Sequence, residues 1–165
     1  MANHRKPTDI ERTYIIWQNR AFQFYLAGRF LYLKKIDGPA CFCGQQALEL
    51  LLKATLLYYD KSFQPKTAGH GFQAMLNSLY NKGPEAAQSL EMPEYFYDPS
   101  KLYQSVTRYP SQSEALIPIP RSFLEDLDAV FCDLVALVPF QFNSMLVNTL
   151  SDTRRAHYQI LERSN

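Results

Sequence analysis

Apolar and small residues recur along the first long segment of the chain at intervals that alternate between four and three. The positions are Ile10, Tyr14, Trp17, Ala21, Phe24, Gly28 and Leu31. Because an α-helix completes a turn about every 3.6 residues, this spacing places all of them on one side of a helix about six turns long. A single apolar stripe needs a partner to cover it, so the chain is predicted to consist of helices packed side by side.

The segment from Thr8 to Glu11 predicts where this first helix begins. A threonine hydroxyl and a glutamate carboxylate at this spacing accept hydrogen bonds from backbone amides that the first helical turn leaves unpaired. Asp37-Gly38-Pro39 is a turn pattern, so we expect the helix to end with a turn at these residues.

A second helix is predicted from about Pro39 to Lys61, with an apolar stripe at the same spacing. Leucines fill many of its other positions, so apolar residues cover nearly the whole circumference. A helix of this kind has neighbours on several sides, which makes it the predicted central helix of the domain.

The remaining helices are predicted on both sides of a proline-rich insertion. A short helix spans about His70 to Tyr80, and residues 84–120 hold six of the ten prolines, which divides that segment into short helical turns and extended pieces, including a short helix from Pro99. Ser122 with Glu125 repeats the capping pattern before a further apolar stripe, and a last long helix is predicted over residues 140–162.

This pattern of segments predicts the fold class. No stretch alternates β-branched and polar residues over the length of a strand. We therefore expect a single all-α domain over residues 1–165, an up-and-down antiparallel bundle of four long helices with short helices in the insertion.

Charge and hydrophobicity exclude several classes of protein. With 17 basic and 16 acidic residues the net charge is +1, so the domain lacks the overall positive field of a protein that grips a long duplex. Neither a signal peptide nor a membrane span is expected, because the N-terminus is polar and the most apolar late stretch contains Asp128, Asp133 and Pro139. These features predict a protein that does not act in a membrane, and the odd number of cysteines, expected to be free thiols, predicts a cytoplasmic one.

Metal ions and cofactors are not expected from the sequence. The three cysteines are an odd number, and Cys41 and Cys43 would project from opposite sides of a helix. No phosphate-binding glycine loop, dinucleotide fingerprint, zinc-protease motif or calcium loop is present. The acidic residues from Glu125 to Asp133 are interpreted as the solvated side of their helix.

Four polar residues form a narrow stripe on the otherwise apolar second helix. These residues, called the helix-two stripe below, are Gln45, Gln46, Glu49 and Lys53. They project within an arc of about 100°. The stripe is either a solvated edge with a Glu49–Lys53 ion pair or a polar groove that receives a ligand or partner.

Several segments resemble the signature of HEPN domains (higher eukaryote and prokaryote nucleotide-binding). They are Ala40-Cys41-Phe42, Gln45 to Ala54, Gly69-His70-Gly71-Phe72 and the Arg108-Tyr109-Pro110 end of a short element. The resemblance implies a bundle of four to five helices that commonly dimerises. It also implies a protein that acts in a toxin–antitoxin system, in phage defence or as the partner of a nucleotidyltransferase.

Arg108 and Tyr109 lie in the insertion, near Tyr103 and the aromatic run from Tyr95 to Tyr97. Arginine interleaved with aromatic residues suits the stacking of a base and the binding of a phosphate. In the alternative interpretation the tyrosines anchor the insertion on the bundle and His70 caps its helix. The predicted ligand-binding residues are Gln45, Gln46, Glu49, Lys53, His70, Tyr103, Arg108 and Tyr109.

The ribonucleases that share this resemblance carry an arginine followed four to six residues later by a histidine. The nearest approach in this sequence is Arg154-Arg155-Ala156-His157, whose spacing is too short. Arg154 and His157 are the candidate catalytic pair, with the histidine as general acid or base and the arginine stabilising phosphate charge. His157 also continues the apolar spacing of Leu150 and Ile160, which is typical of a half-buried structural histidine.

Three functions remain open from the sequence. The first is a non-catalytic HEPN-like module that binds a nucleotide, single-stranded RNA or a cognate protein, and the mismatch in arginine–histidine spacing favours it. The second is a divergent, metal-independent ribonuclease toxin that acts as a dimer, and the third is a structural adaptor. A homodimer is expected from the resemblance and from the aromatic-rich insertion.

Overall fold

The computed structural model describes residues 8–65, 71–97 and 120–138. Within these ranges the chain is all-α and has no strand, which confirms the all-α part of the predicted fold. The helices are α1 (Asp9–Leu33), α2 (Asp37–Tyr59), α3 (Phe72–Lys82) and α4 (Phe123–Ala136), and two 3₁₀ turns span Glu85–Ser89 and Glu94–Phe96. The last long helix (140–162) and the short helix from Pro99 lie outside the described residues, so the bundle of four long helices stays a prediction. No described helix is long and apolar enough to cross a membrane.

Helix α1 begins with the predicted capping box. The Thr8 hydroxyl accepts a hydrogen bond from the Glu11 amide at 3.2 Å, and the Glu11 carboxylate accepts one from the Thr8 amide at 2.6 Å. Two of the amides that a helix start leaves unpaired are thereby satisfied, which fixes the first turn.

The buried face of α1 is wider than the predicted stripe. Tyr14, Ala21 and Gly28 are buried as expected, and a second row of Gln18, Phe22 and Tyr25 is buried beside them. The other predicted stripe residues, Trp17, Phe24 and Leu31, are only partly buried, and Ile10 is exposed. The stripe is broader because α1 packs against both α2 and α4.

The turn between α1 and α2 lies earlier than the sequence pattern indicates. The amide of Ile36 donates to the carbonyl of Leu31 at 2.9 Å and that of Lys35 to the carbonyl of Tyr32 at 2.8 Å, with Lys35 in the left-handed region at a φ of 58°. This Schellman arrangement ends α1, and α2 then begins at Asp37. The predicted turn at Asp37-Gly38-Pro39 is the first turn of α2, where a proline removes no intrahelical hydrogen bond.

Helices α1 and α2 form an antiparallel pair. Along α1, Tyr14, Trp17 and Gly28 face Tyr58, Lys53 and Gly44 of α2, respectively. A Cβ atom at Gly28 would lie 3.0 Å from the Gly44 nitrogen and 3.3 Å from the Ala40 oxygen. The missing side chain therefore lets the two backbones approach closely.

Helix α4 closes the other side of α1 and α2. Its residues Phe123, Leu127, Val130 and Leu134 are buried, as the predicted stripe requires. The ring of Phe131 stacks on Tyr25 with centroids 4.1 Å apart. The Ser122 side chain makes no capping hydrogen bond, so the predicted capping box at this helix is wrong.

The described part of the proline-rich insertion packs on α2 and α4. Phe96 is 2% exposed and lies against Phe123 with ring centroids 5.8 Å apart. The Tyr95 hydroxyl donates to the Asp126 carboxylate at 2.6 Å. For residues 94–97 the anchoring interpretation is therefore confirmed, because the buried Phe96 ring and the partly buried Tyr95 and Tyr97 rings pack against the core.

Candidate functional site

The structure describes only part of the predicted ligand-binding set. The helix-two stripe lies on α2, within the described residues. The other predicted residues, His70, Tyr103, Arg108 and Tyr109, and the candidate catalytic pair Arg154 and His157 lie outside them. Their assignment stays a prediction.

The centre of the stripe is a buried ion pair. The Lys53 ammonium lies 2.9 Å from the Glu49 carboxylate, and the two side chains are 7% and 3% exposed, respectively. The Gln46 amide donates to the same carboxylate at 3.3 Å, and the Lys53 ammonium stands 5.6 Å above the ring of Trp17 on α1. An ion pair removed from water in this way is held by its mutual charge and hydrogen bonds.

Gln45 occupies a different environment from the ion pair. Its side-chain amide donates to the backbone oxygen of Phe96 at 3.3 Å, which ties α2 to the second 3₁₀ turn. Its Oε1 atom is buried and accepts no hydrogen bond from the described residues.

The stripe is therefore part of the interior. Gln45, Glu49 and Lys53 are 4%, 2% and 6% exposed, respectively, and only Gln46 is partly accessible. The interpretation as a solvated edge is wrong, because Trp17 and the 3₁₀ turn approach a face that the sequence alone left uncovered. These residues tie α2 to α1 and to the insertion.

A second buried polar cluster was not anticipated from the sequence. The Tyr25 hydroxyl donates to the Asp128 carboxylate at 2.7 Å, and the Arg29 guanidinium forms an ion pair with the same carboxylate. Burial, and then the neighbouring carboxylate, raise the pKa of the Tyr25 phenol, so it remains a hydrogen-bond donor. We call Tyr25, Arg29 and Asp128 the α1–α4 cluster.

The position of Asp128 corrects the prediction that the acidic residues of α4 form one solvated face. Asp128 is 8% exposed, whereas Glu125 and Asp133 are exposed. The sequence did contain one indication of this cluster. Tyr25 and Arg29 are four residues apart on α1, so a hydroxyl and a guanidinium lie side by side and can both bind one carboxylate.

An open cleft lies between the start of α1 and the end of α2. We call it the tyrosine cleft, and its volume is about 450 Å³. It is lined by Ile10, Glu11, Tyr14, Ile15, Leu57, Tyr58 and Lys61. The volume falls within the range of small-molecule sites, and the described lining combines apolar walls with the Lys61 cation and the Glu11 anion.

The tyrosine rings give this cleft an aromatic wall. Tyr14 and Tyr58 have centroids 5.6 Å apart, and Tyr58 packs edge-on against Tyr59. Tyr58 is 44% exposed, so part of its ring remains open to a ligand. The position of the Tyr14 ring is fixed, because its hydroxyl accepts a hydrogen bond from the Gln18 amide at 2.6 Å.

The described residues contain no group of histidines, cysteines or carboxylates arranged to hold a metal ion. None of the three cysteines, which all lie within the described residues, forms a disulfide. Burial raises the pKa of both the Cys41 and the Cys43 thiol. These two side chains are therefore held as thiols, which are poor nucleophiles and poor metal ligands.

Comparison with known proteins gives one match. The family model described as HEPN domain matches residues 14–130, which is most of the chain. The matched range runs from α1 into α4 and so spans all four described helices. No curated protein and no solved structure matches the chain.

Proposed function

The chain belongs to the HEPN domain family, and we propose that it is a non-catalytic member that binds a nucleotide, or an unpaired nucleotide of an RNA strand, in the cytoplasm. The observation that supports binding is the tyrosine cleft. The observation that favours a non-catalytic role is the arginine–histidine spacing, because the nearest pair, Arg154 and His157, is too close in sequence.

The cleft offers a suitable group for each part of a nucleotide. A base can stack on the exposed face of Tyr58, since every base has a π-face and stacking tolerates any sequence. The Lys61 ammonium can approach the phosphate, and the Glu11 carboxylate can accept hydrogen bonds from ribose hydroxyls. The apolar walls formed by Ile10 and Leu57 exclude water from the base.

The helix-two stripe takes a supporting role in this proposal. Trp17 covers Lys53 and packs in the same small core as Tyr14 and Leu57, which line the cleft. The buried ion pair therefore fixes the wall of the cleft rather than contacting a ligand directly.

Titration of the protein with the four nucleoside monophosphates and a short single-stranded RNA tests the proposal. Trp17 is the only tryptophan, so its fluorescence reports on the packing behind the cleft. Tyr58→Ala should weaken binding by about fivefold to a hundredfold, the range expected for loss of one stacked base. Lys61→Gln should weaken binding less and reduce its dependence on salt.

Lys34→Gln is the matched control for Lys61, because Lys34 is exposed at the opposite end of the α1–α2 pair. Its affinity should equal that of the wild type. If none of these ligands binds or raises the melting temperature at millimolar concentration, the proposal is wrong and the structural adaptor is favoured.

The alternative function is a divergent ribonuclease, and an RNA cleavage assay distinguishes it from the proposed non-catalytic role. We expect no metal-independent cleavage of single-stranded RNA and no toxicity on expression. Cleavage that disappears in both Arg154→Ala and His157→Ala would establish the ribonuclease function instead.

We also propose that the chain forms a homodimer through an apolar strip on α1. Leu26, Phe30 and Leu33 follow one another at spacings of four and three, and Ile36 continues the strip into the turn. They are 39%, 60%, 65% and 44% exposed, respectively, which is unusual for side chains of this size. Light scattering on the wild type and on Phe30→Ser tests this, and a monomeric wild type at high concentration would count against it.

A further inference from the structure

One side of α1 is exposed along most of the helix. Its residues follow one another at spacings that alternate between three and four, and each of them is exposed. They are Ile16, Asn19, Gln23, Leu26, Phe30 and Leu33. We call this set the outer face of α1, and it contains three residues of the apolar strip through which a homodimer is proposed above.

The outer face has the spacing and the apolar area of a helix that pairs along its length. Contacts at two positions in every seven residues keep one side of a helix against a partner helix. Ile16, Phe30 and Leu33 are 59%, 60% and 65% exposed, respectively. Together with Leu26 and Ile36 they offer on the order of 500 Å² of apolar surface per copy, so that two copies bury about 1,000 Å², as a specific interface requires.

Two amide side chains interrupt the apolar positions of this face. Asn19 and Gln23 lie between Ile16 and the apolar end that begins at Leu26. Covering an amide with an apolar partner costs free energy, because its donors and its acceptor lose their hydrogen bonds to water. Each amide carries both kinds of group, so an identical amide at the same level can satisfy it. These two residues therefore select a partner that presents amides at the same levels, and a second copy of α1 does so.

The parallel alignment in register is the one that satisfies the whole face. Each residue then faces its own copy, so Asn19 and Gln23 meet amides and the apolar residues meet apolar residues. A single polar position of this kind is known to set the register of paired helices.

Antiparallel alignments fit the face less well. If Ile16 faces Leu33 of the second copy, Asn19 faces Phe30, which sets an amide against an aromatic ring. If Asn19 instead faces Gln23, Phe30 and Leu33 extend beyond the start of the partner's outer face and stay exposed.

We propose that two copies of the chain pair in parallel and in register through the outer face of α1. The inference rests on the homodimer proposed above and specifies its geometry, and it does not depend on nucleotide binding. Since the tyrosine cleft lies at the start of α1, parallel pairing places both clefts at the same end of the dimer. Antiparallel pairing places them at opposite ends.

Disulfide trapping of the full chain distinguishes the alignments. Ile16→Cys and Leu33→Cys each place a thiol on the outer face, one near each end, and a disulfide forms only when the two Cα atoms lie within about 7 Å. In a parallel dimer in register both variants meet their own copies. In an antiparallel dimer only one level of the helix can meet its own copy, so at most one variant can cross-link.

We expect both single variants to form disulfide-linked dimers on mild oxidation, as measured by non-reducing electrophoresis. Ala74→Cys is the matched control, because it places an exposed thiol on α3, away from the outer face. Both variants should cross-link at least about tenfold faster than this control, since pairing raises the effective concentration of the thiols. The wild type should not cross-link at this rate, because its cysteines are at least partly buried.

The inference is wrong if only one of the two variants cross-links faster than Ala74→Cys, or if a mixture of the two cross-links faster than either alone. Light scattering on the same samples separates this failure from that of the homodimer itself. A dimer with an antiparallel cross-linking pattern overturns the parallel geometry alone, whereas a monomer at high concentration overturns both proposals.

Discussion

The helix-two stripe and the α1–α4 cluster are both buried and charged, but they are assembled differently. Glu49 and Lys53 are four residues apart on one helix, so α2 alone brings them side by side. Arg29 and Asp128 are 99 residues apart in the sequence and meet only when α4 lies against α1. The first contact is local and visible in the sequence, and the second is a product of the tertiary fold.

The two clusters also differ in their access to water. The side chains of Glu49 and Lys53 are 3% and 7% exposed, whereas those of Asp128 and Arg29 are 11% and 25% exposed. Water can screen the charge of Arg29, but it barely reaches Lys53. We therefore expect the local pair to be the more costly one to break, although it contributes less to holding different helices together.

The largest expected effect comes from breaking the local pair. Lys53→Met removes the ammonium that lies 2.9 Å from the buried Glu49 carboxylate, which should lower the free energy of unfolding by roughly 3 kcal/mol or more. The double variant Glu49→Leu with Lys53→Met should recover most of this loss, since apolar residues can replace a buried pair. Urea denaturation measures both values. A loss below about 1 kcal/mol for the single variant would contradict the burial of the pair.

Breaking the α1–α4 cluster should lower the free energy of unfolding by a smaller amount. Asp128→Asn keeps the shape of the side chain but removes the charge that faces Arg29, and we expect a loss of about 1–3 kcal/mol. Glu125→Gln is the matched control, because Glu125 is exposed on the same helix. If Asp128→Asn destabilises the protein more than Lys53→Met does, the expectation that the Glu49–Lys53 pair is the more costly one to break is wrong.

The hydroxyl of Tyr25 should contribute less to the free energy of unfolding than either ion pair does. Tyr25→Phe removes the hydrogen bond to Asp128 and keeps the ring stacked on Phe131, so the expected loss is about 1 kcal/mol. Thermal unfolding of Tyr25→Phe, Asp128→Asn and the double variant gives the coupling between the two groups. Additive losses would show that they do not act as one cluster.

The smallest expected change in stability comes from removing the ion pair between Lys82 and Asp60 near the surface. The hydrogen bond from Lys82, and then that from the Ser62 hydroxyl, lower the pKa of Asp60 from 3.8 to about 2. Because the folded pKa is depressed, the associated stability is present above pH 4 and is lost as the pH falls towards 2. Lys82→Gln should raise the Asp60 pKa towards 3.8, as measured by NMR titration, with little change in stability at neutral pH.

The same contrast explains how much of the molecule could be predicted from its sequence. The capping box at Thr8, the apolar character of α2 and the buried stripe of α4 follow from neighbouring residues, and the structure confirms each of them. The start of α2 was misplaced because a turn pattern and a first helical turn with proline use the same residues.

The environment of the polar residues could not be predicted in the same way. The spacing of Glu49 and Lys53 shows that they share a face, but only the packing of Trp17 decides whether that face meets water. Asp128 resembles the exposed acidic residues beside it until Tyr25 and Arg29 are brought opposite. Of the candidate site, the sequence therefore indicated which helix faces were polar but not the tyrosine cleft, which is formed by the ends of two helices.

The wide separation of the α1–α4 cluster also has a consequence during synthesis. Helices α1 and α2 leave the ribosome before α4, which emerges several seconds later at ordinary rates of elongation. In that interval Phe22 and Tyr25 lack the aromatic partner that Phe131 provides, and the Arg29 charge lacks its counter-ion. We therefore expect a hairpin of α1 and α2 to expose this aromatic face until α4 brings Phe131 and Asp128 against it.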